Sequence, residues 1–144
     1  MPTYAFTSMK AFSPAHRERI VESVTAIHAA EATAPRYFVQ VVFSTVDEGA
    51  IFIGGEPAPD GHVWVNALIR AGRTNAQKAK ILQRIMGETA KIMDVPEQAV
   101  WVYISDIDAH GVLEFGSVLP EPGGEEQWLS SLPTELREKL KANT

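Results

Sequence analysis

Landmarks in this chain recur at a constant interval of 61 residues: Ser13 with Thr74, Pro35 with Pro96, Val39 with Val100 and Val41 with Val102. An interval kept across four landmarks marks an internal repeat, and the residues around them say what is repeated. In the first copy, residues 3–7 read as a short strand. Ser13 then N-caps a helix that starts on Pro14, where a missing N–H costs nothing. Ile20, Val24 and Ile27, joined by Val21 and His28, recur at helical spacing. The helix should stop before Pro35, because a residue preceding proline resists the α conformation. Residues 37–43 make the next strand.

The second copy reads the same way. A strand covers 62–69, and Thr74 with Gln77 forms a capping box. Ile81, Leu82, Ile85, Met86, Ile92 and Met93 form a buried stripe, the helix stops near Asp94-Val95-Pro96, and a strand covers 99–104. Two β-α-β units imply parallel pairing within each unit and right-handed crossovers. The expected fold class is α+β: a four-stranded sheet with two helices on one face. With 144 residues and 45% hydrophobic content, one core suffices, so a single domain is expected over 1–144, with repeats at 2–45 and 62–105.

The connector 44–61 is rich in Gly, Pro and acids and long enough to line a pocket. The extension 110–144 should hold a hairpin and a short helix near 133–142, with Leu132, Leu136 and Leu140 on one face, packing on the subunit or a neighbour. The segments FVQVVF and AVWVYI are apolar at nearly every position, as in strands buried on both faces. Two helices cover one face, so the other calls for further copies of the chain. A net charge of −5 argues against nucleic acid or an anionic membrane as partner, and the absence of cysteine excludes disulfides and thiolate chemistry. No apolar run has the length of a membrane span and no signal peptide is evident, so the expected location is the cytoplasm.

A few residues carry chemistry. Pro2 follows Met1, and removal of Met1 would expose a secondary amine able to act as acid or base. Arg70 and Arg73 flank the N-cap Thr74, where two guanidinium forks beside a helix N-terminus make a carboxylate or phosphate site. Their counterparts in the first copy are Met9 and Phe12, so only one copy carries the charges. Taken singly, each candidate also has an ordinary reading. The arginines could be solvated, His28 a satisfied core histidine, Tyr103 a half-buried aromatic, and Glu114, in Gly111-Val112-Leu113-Glu114-Phe115-Gly116, a solvated hairpin carboxylate.

Together the Met-Pro start, the two β-α-β units, and His28, Arg70, Arg73, Tyr103 and Glu114 resemble the cis-3-chloroacrylic acid dehalogenase group of the tautomerase superfamily. The likeness extends to Trp101-Val102-Tyr103 and to the segment from Leu119-Pro120-Glu121-Pro122-Gly123 to Trp128. It implies a homotrimeric enzyme that needs no cofactor and no metal. In that group the Pro2 ammonium protonates the substrate α-carbon, Arg70 and Arg73 hold its carboxylate, and Glu114 activates water for the β-carbon. His28 and Tyr103 support, with Tyr103 reaching in from a neighbouring subunit. The implied reaction hydrates a 3-haloacrylate or acetylenic acid to malonate semialdehyde. The alternatives are a phenylpyruvate-type keto-enol tautomerase with neutral Pro2 as base, and a non-catalytic binding trimer. Ala34, Phe38 and Phe115 depart from the threonine, leucine and tyrosine of the dehalogenase pattern and reshape the expected pocket wall.

Overall fold

The computed structural model describes residues 2–143; Met1, whose removal the sequence reading expects, lies outside them. The first unit runs from strand β1 (Thr3–Ser8) through helix α1 (Pro14–Ala32) to strand β2 (Gln40–Thr45). A small hairpin of β3 (Phe52–Ile53) and β4 (Glu56–Pro57) occupies the connector. The second unit runs from β5 (Val63–Arg70) through α2 (Asn75–Met93) to β6 (Val100–Ile107). The extension adds the hairpin β7 (Leu113–Glu114) and β8 (Ser117–Val118), then helices α3 (Glu125–Ser131) and α4 (Thr134–Lys141).

The sheet order is β2-β1-β5-β6, with parallel pairs inside each unit and an antiparallel β1–β5 seam between them. This is the expected four-stranded α+β architecture, and its local chemistry repeats with the sequence. Ser13 and Thr74 each close a capping box, with His16 and Gln77 as the reciprocal partners. Thr33 and Asp94, again 61 residues apart, end the two helices in the left-handed region at φ 50° and 53°.

Register explains which side chains meet. Tyr4 pairs with Val41 and Ala67, Phe6 with Phe43 and Val65, and Val65 with Val102. These residues share one face and form a single cluster with Ile20, Val24 and Ile27 of α1 and Ile81, Ile85, Ile92 and Met93 of α2. Each fully buried Ile in that cluster contributes about 1.5–3 kcal/mol by leaving water. Val21, expected beside the α1 stripe, is exposed instead, since it lies one residue, about 100° of helix, beyond Ile20.

The opposite sheet face is bare. Val42, Trp64, Leu68, Trp101 and Tyr103 are all exposed on it, so β2 and β6 alternate between core and outer face within one chain and are not buried on both sides there. The other departures are local. Residues 36–38 curl into a 3-10 turn after Pro35, as Glu97–Ala99 do after Pro96, so β2 starts at Gln40 rather than at 37. Phe38 thereby leaves the sheet and joins a second cluster with Ala109, Leu119, Trp128, Leu132 and Leu140. That cluster docks the extension on its own subunit, and it includes Trp128 of α3, a helix beyond the one expected near 133–142.

Candidate active site

The loop between β5 and α2 is clamped by the C-terminal extension. Arg70, 1% exposed, donates from Nη1 to the Pro120 carbonyl and from Nη2 to Glu125 Oε1, each at 2.5 Å. Glu125 sits in the first turn of α3 and also accepts from the Gly123 N–H at 2.9 Å. Burial would push this carboxyl up, but the bonds from Arg70 and Gly123 outweigh it and hold Glu125 below its usual range. Gly72, between the two arginines, has φ 110°, and a Cβ there would meet Pro122 Cγ at 2.7 Å, so the extension packs directly on this glycine. Two cations at a helix N-terminus need compensation, and Glu125 supplies it.

Arg73 is treated differently. Among the described residues it has no carboxylate within ion-pair distance, and its half-buried side chain has an Nε without a hydrogen-bond partner. Burial, with Arg70 beside it, holds its guanidinium below the usual arginine value, although it remains a cation.

His28 lies under these charges. It is 1% exposed, and its Nδ1 is 2.8 Å from the Tyr4 hydroxyl. Burial pulls its pKa down to about 3, with the Arg73 and Arg70 cations pushing the same way, so the ring is neutral at working pH. The unfolded chain takes up a proton near pH 6.5 and the folded chain does not until about pH 3. The folded state therefore loses stability as pH falls from 6.5 towards 3. Between pH 6.5 and about 4.5 the native protein should lose about 2 kcal/mol more than His28→Gln, a difference measurable by denaturant unfolding at the two pH values.

Glu114 is placed by a different device. Phe115 and Gly116, at φ 54° and 79°, make the two-residue turn of the β7–β8 hairpin with both central residues left-handed. A phenylalanine resists that conformation. Its ring is held against Phe38 and Trp128, with centroids 6.4 and 6.2 Å away, which fixes the turn to the second core. Half-buried Glu114 then lines a cavity of about 550 Å³ with Tyr37, Phe38, Val39, Gln40, Val112 and Phe115. Pro2 is buried and tied to one of these lining residues: its carbonyl accepts from the Gln40 N–H at 3.0 Å. Burial and then the Glu125 carboxylate raise the Tyr37 pKa, so this cavity wall lies within reach of the Arg70–Glu125 pair.

Of the residues singled out in the sequence, the structure gathers His28, Arg70 and Arg73 in one polar group, the first two buried and Arg73 half-buried, and brings Glu114 and Pro2 together at Gln40. Tyr103 stands apart within the chain. It is 50% exposed on the bare sheet face, against Trp64 at 6.0 Å. Tyr4 and Glu125 are additions that sequence reasoning missed. A buried tyrosine two residues after Pro2 on an alternating strand demands a polar partner, which was a usable signal for Tyr4. No spacing rule links Glu125 to an arginine 55 residues earlier. Among the described residues, Asp108, His110 and Glu121 are grouped closely enough to share a metal ion, but all three are exposed and His110 Nδ1 already lies 3.2 and 3.4 Å from the two carboxylates. Among the described residues no helix is long and apolar enough to cross a membrane.

Residues 1–131 match a family model described as "Putative oxalocrotonate tautomerase enzyme". The crystal structure of N1, a member of the cis-3-chloroacrylic acid dehalogenase family, is 41% identical, with 97% of this chain and 99% of that one covered and a TM-score of 0.93. The native structure of Ps01740 is 32% identical over 78% of this chain and 99% of its own, with a TM-score of 0.71. An asymmetric trimer of a fused 4-OT is 23% identical over 81% of this chain and 94% of its own, with a TM-score of 0.73, a likeness of fold. Among curated proteins none matches. Identity and coverage together place this chain in the tautomerase superfamily and, within it, in the cis-3-chloroacrylic acid dehalogenase family.

Proposed function

We propose that the chain is a cofactor-independent hydratase of small α,β-unsaturated carboxylates. Water adds across the multiple bond of an acetylenic acid or 3-haloacrylate to give malonate semialdehyde, with halide lost from the haloacrylate. The observation that carries this reading is where unpaired polarity lies. Among the described residues, the buried side-chain nitrogens and oxygens without a hydrogen-bond partner are His28 Nε2, Arg70 Nε and Arg73 Nε. Buried polar atoms are nearly always paired, so three unpaired nitrogens in one cationic group call for a ligand rich in acceptor oxygens. A carboxylate answers that description.

The chemistry follows from the charge. Cations around the carboxylate draw electrons from the conjugated bond and stabilise the enediolate-like charge that grows as water attacks. Glu114 is the base that takes the water proton at the β-carbon, and the Pro2 ammonium delivers a proton to the α-carbon. Arg70 is held by Glu125 and Pro120 and acts as a fixed field, whereas Arg73 has the freer guanidinium and makes the main grip on the carboxylate. The bare face with Trp64, Leu68, Trp101 and Tyr103 is then a subunit interface in a homotrimer, in keeping with the trimer stated for the fused 4-OT structure, and Tyr103 serves a neighbour's site.

Arg73→Ala tests the reading. Transition-state stabilisation should fall by about 2–4 kcal/mol, the scale of losing one donor to a developing oxyanion, in steady-state hydration of propynoate. Unchanged kcat/KM would remove Arg73 from the site. A second reading, keto-enol tautomerisation with neutral Pro2 as base, is favoured by the description of the matching family model. Titration of the Pro2 amine separates the two, because a pKa well below neutrality fits a base and one above it fits an acid.

A further inference from the structure

His28 uses its two ring nitrogens differently. Nδ1 makes its bond to Tyr4 wholly inside the protein, while Nε2 is buried without a partner among the described residues. The rings meet edge to face, with centroids 5.8 Å apart at 75°, so the contact is directional. A neutral imidazole has one donor and one acceptor nitrogen, and the bond made by one sets the role of the other.

Counting unpaired groups decides between the two tautomers. With the proton on Nδ1, the ring would donate to the Tyr4 oxygen. The phenol hydrogen would then lack an acceptor, because among the described residues Tyr4 has no second hydrogen-bond partner, and Nε2 would be a second unpaired atom. With the phenol donating to Nδ1, only the Nε2–H is left over. Each buried group left unpaired is costly, so the second arrangement dominates. Burial also drives the Tyr4 phenol far above its ordinary value, with Arg73 opposing only in part, so the hydroxyl keeps the proton it donates.

We propose that Tyr4 is a positioning residue that locks His28 as the Nε2–H tautomer, making Nε2 a hydrogen-bond donor to one carboxylate oxygen of a small acid held by Arg73. This role rests on the carboxylate site of the proposed function and not on the hydration step. Neither nitrogen needs to change charge during turnover, so His28 is a fixed dipole and not a proton carrier.

The test is long-range proton–nitrogen NMR of the His28 ring in the whole protein and in Tyr4→Phe, which keeps the buried ring and removes the hydroxyl. Propionate serves as an unreactive three-carbon carboxylate probe. The native ring should be the Nε2–H tautomer alone, and propionate should shift the Nε2–H resonance. Tyr4→Phe should give a mixture of tautomers and bind propionate at least about tenfold more weakly, the lower end of what outer partners of metal-bound histidines contribute. An Nδ1–H tautomer in the native protein overturns the assignment, as does an Nε2–H resonance that propionate leaves unmoved. Tyr4→Phe with native tautomer and native propionate affinity overturns it too. If that variant does not fold, the two native measurements still decide. A native protein that binds propionate through Nε2–H but hydrates no unsaturated acid contradicts the proposed reaction and leaves the role of Tyr4 standing.

Discussion

Alanine in place of Pro2 should lower kcat/KM for hydration of an unsaturated acid by about two to four orders of magnitude, the usual contribution of a positioned acid. The fold should survive, because what ties this residue to the sheet is its carbonyl, which accepts from Gln40, and alanine keeps that carbonyl. Protein that retains Met1 should be as poor, since its proline nitrogen is an amide without a usable lone pair. Steady-state kinetics on the two forms, with intact mass to define the N-terminus and light scattering to report assembly, measure the effect. Full activity from a chain beginning at Met1 would falsify the proline mechanism. Loss of activity together with loss of assembly would instead make Pro2 structural.

The second large effect belongs to Glu114. Glutamine keeps the shape of the side chain on the cavity wall and removes its capacity to accept a proton. Hydration should then fall by roughly two to four orders of magnitude, while keto-enol tautomerisation of phenylpyruvate, which needs only a proton moved between carbon and oxygen, should persist. Two assays on one variant separate the roles. A parallel fall in both makes Glu114 a support for Pro2 or for the cavity, and no fall in either makes it a hairpin carboxylate without a catalytic part. The Phe115-Gly116 turn sharpens the expectation. A left-handed phenylalanine pinned by Phe38 and Trp128 holds the hairpin in one geometry, which suits a base that must meet its water at a fixed angle.

What the sequence makes legible here is local and periodic. Ser13, Thr74, Pro35 and Pro96 specify helix ends through capping and proline sterics, which act within a few residues, and the structure puts both helices where those signals lie. The strand starts depend on more distant contacts. Phe38 belongs by composition to a strand but is drawn out of it by Trp128 and Leu119, contacts made across most of the chain. The unequal ends of the repeat show the same division. Where the second copy has Arg70 and Arg73, the first has Met9 and Phe12, and Phe12 packs against Phe6 and Phe43 at 6.4 and 5.1 Å. One corner of the pseudo-symmetric sheet is therefore aromatic core and the other is charged, a difference visible in the residues themselves. The Arg70–Glu125 pair was not visible, because it depends on the extension folding back over the loop at Gly72. That pair also changes how the two arginines are read: alike in sequence, they differ in the structure, one tied down by its own chain and the other with the freer guanidinium.

The apolar outer face is an example of the right pattern with a different meaning within one chain. Trp101 and Tyr103 signal burial by composition, yet both are exposed, Trp101 edge-on to His62 at 5.4 Å and Tyr103 to Trp64. In the proposed homotrimer this face is the one a partner copy would cover, and that copy is what would bring Tyr103 to a second site.

Hydration itself is measured by following propynoate and cis-3-chloroacrylate by proton NMR in the presence of protein whose intact mass corresponds to a chain starting at Pro2. Malonate semialdehyde should form from both acids, with chloride released in step with consumption of the chloroacrylate. A folded protein with a free Pro2 amine that consumes neither acid would contradict it.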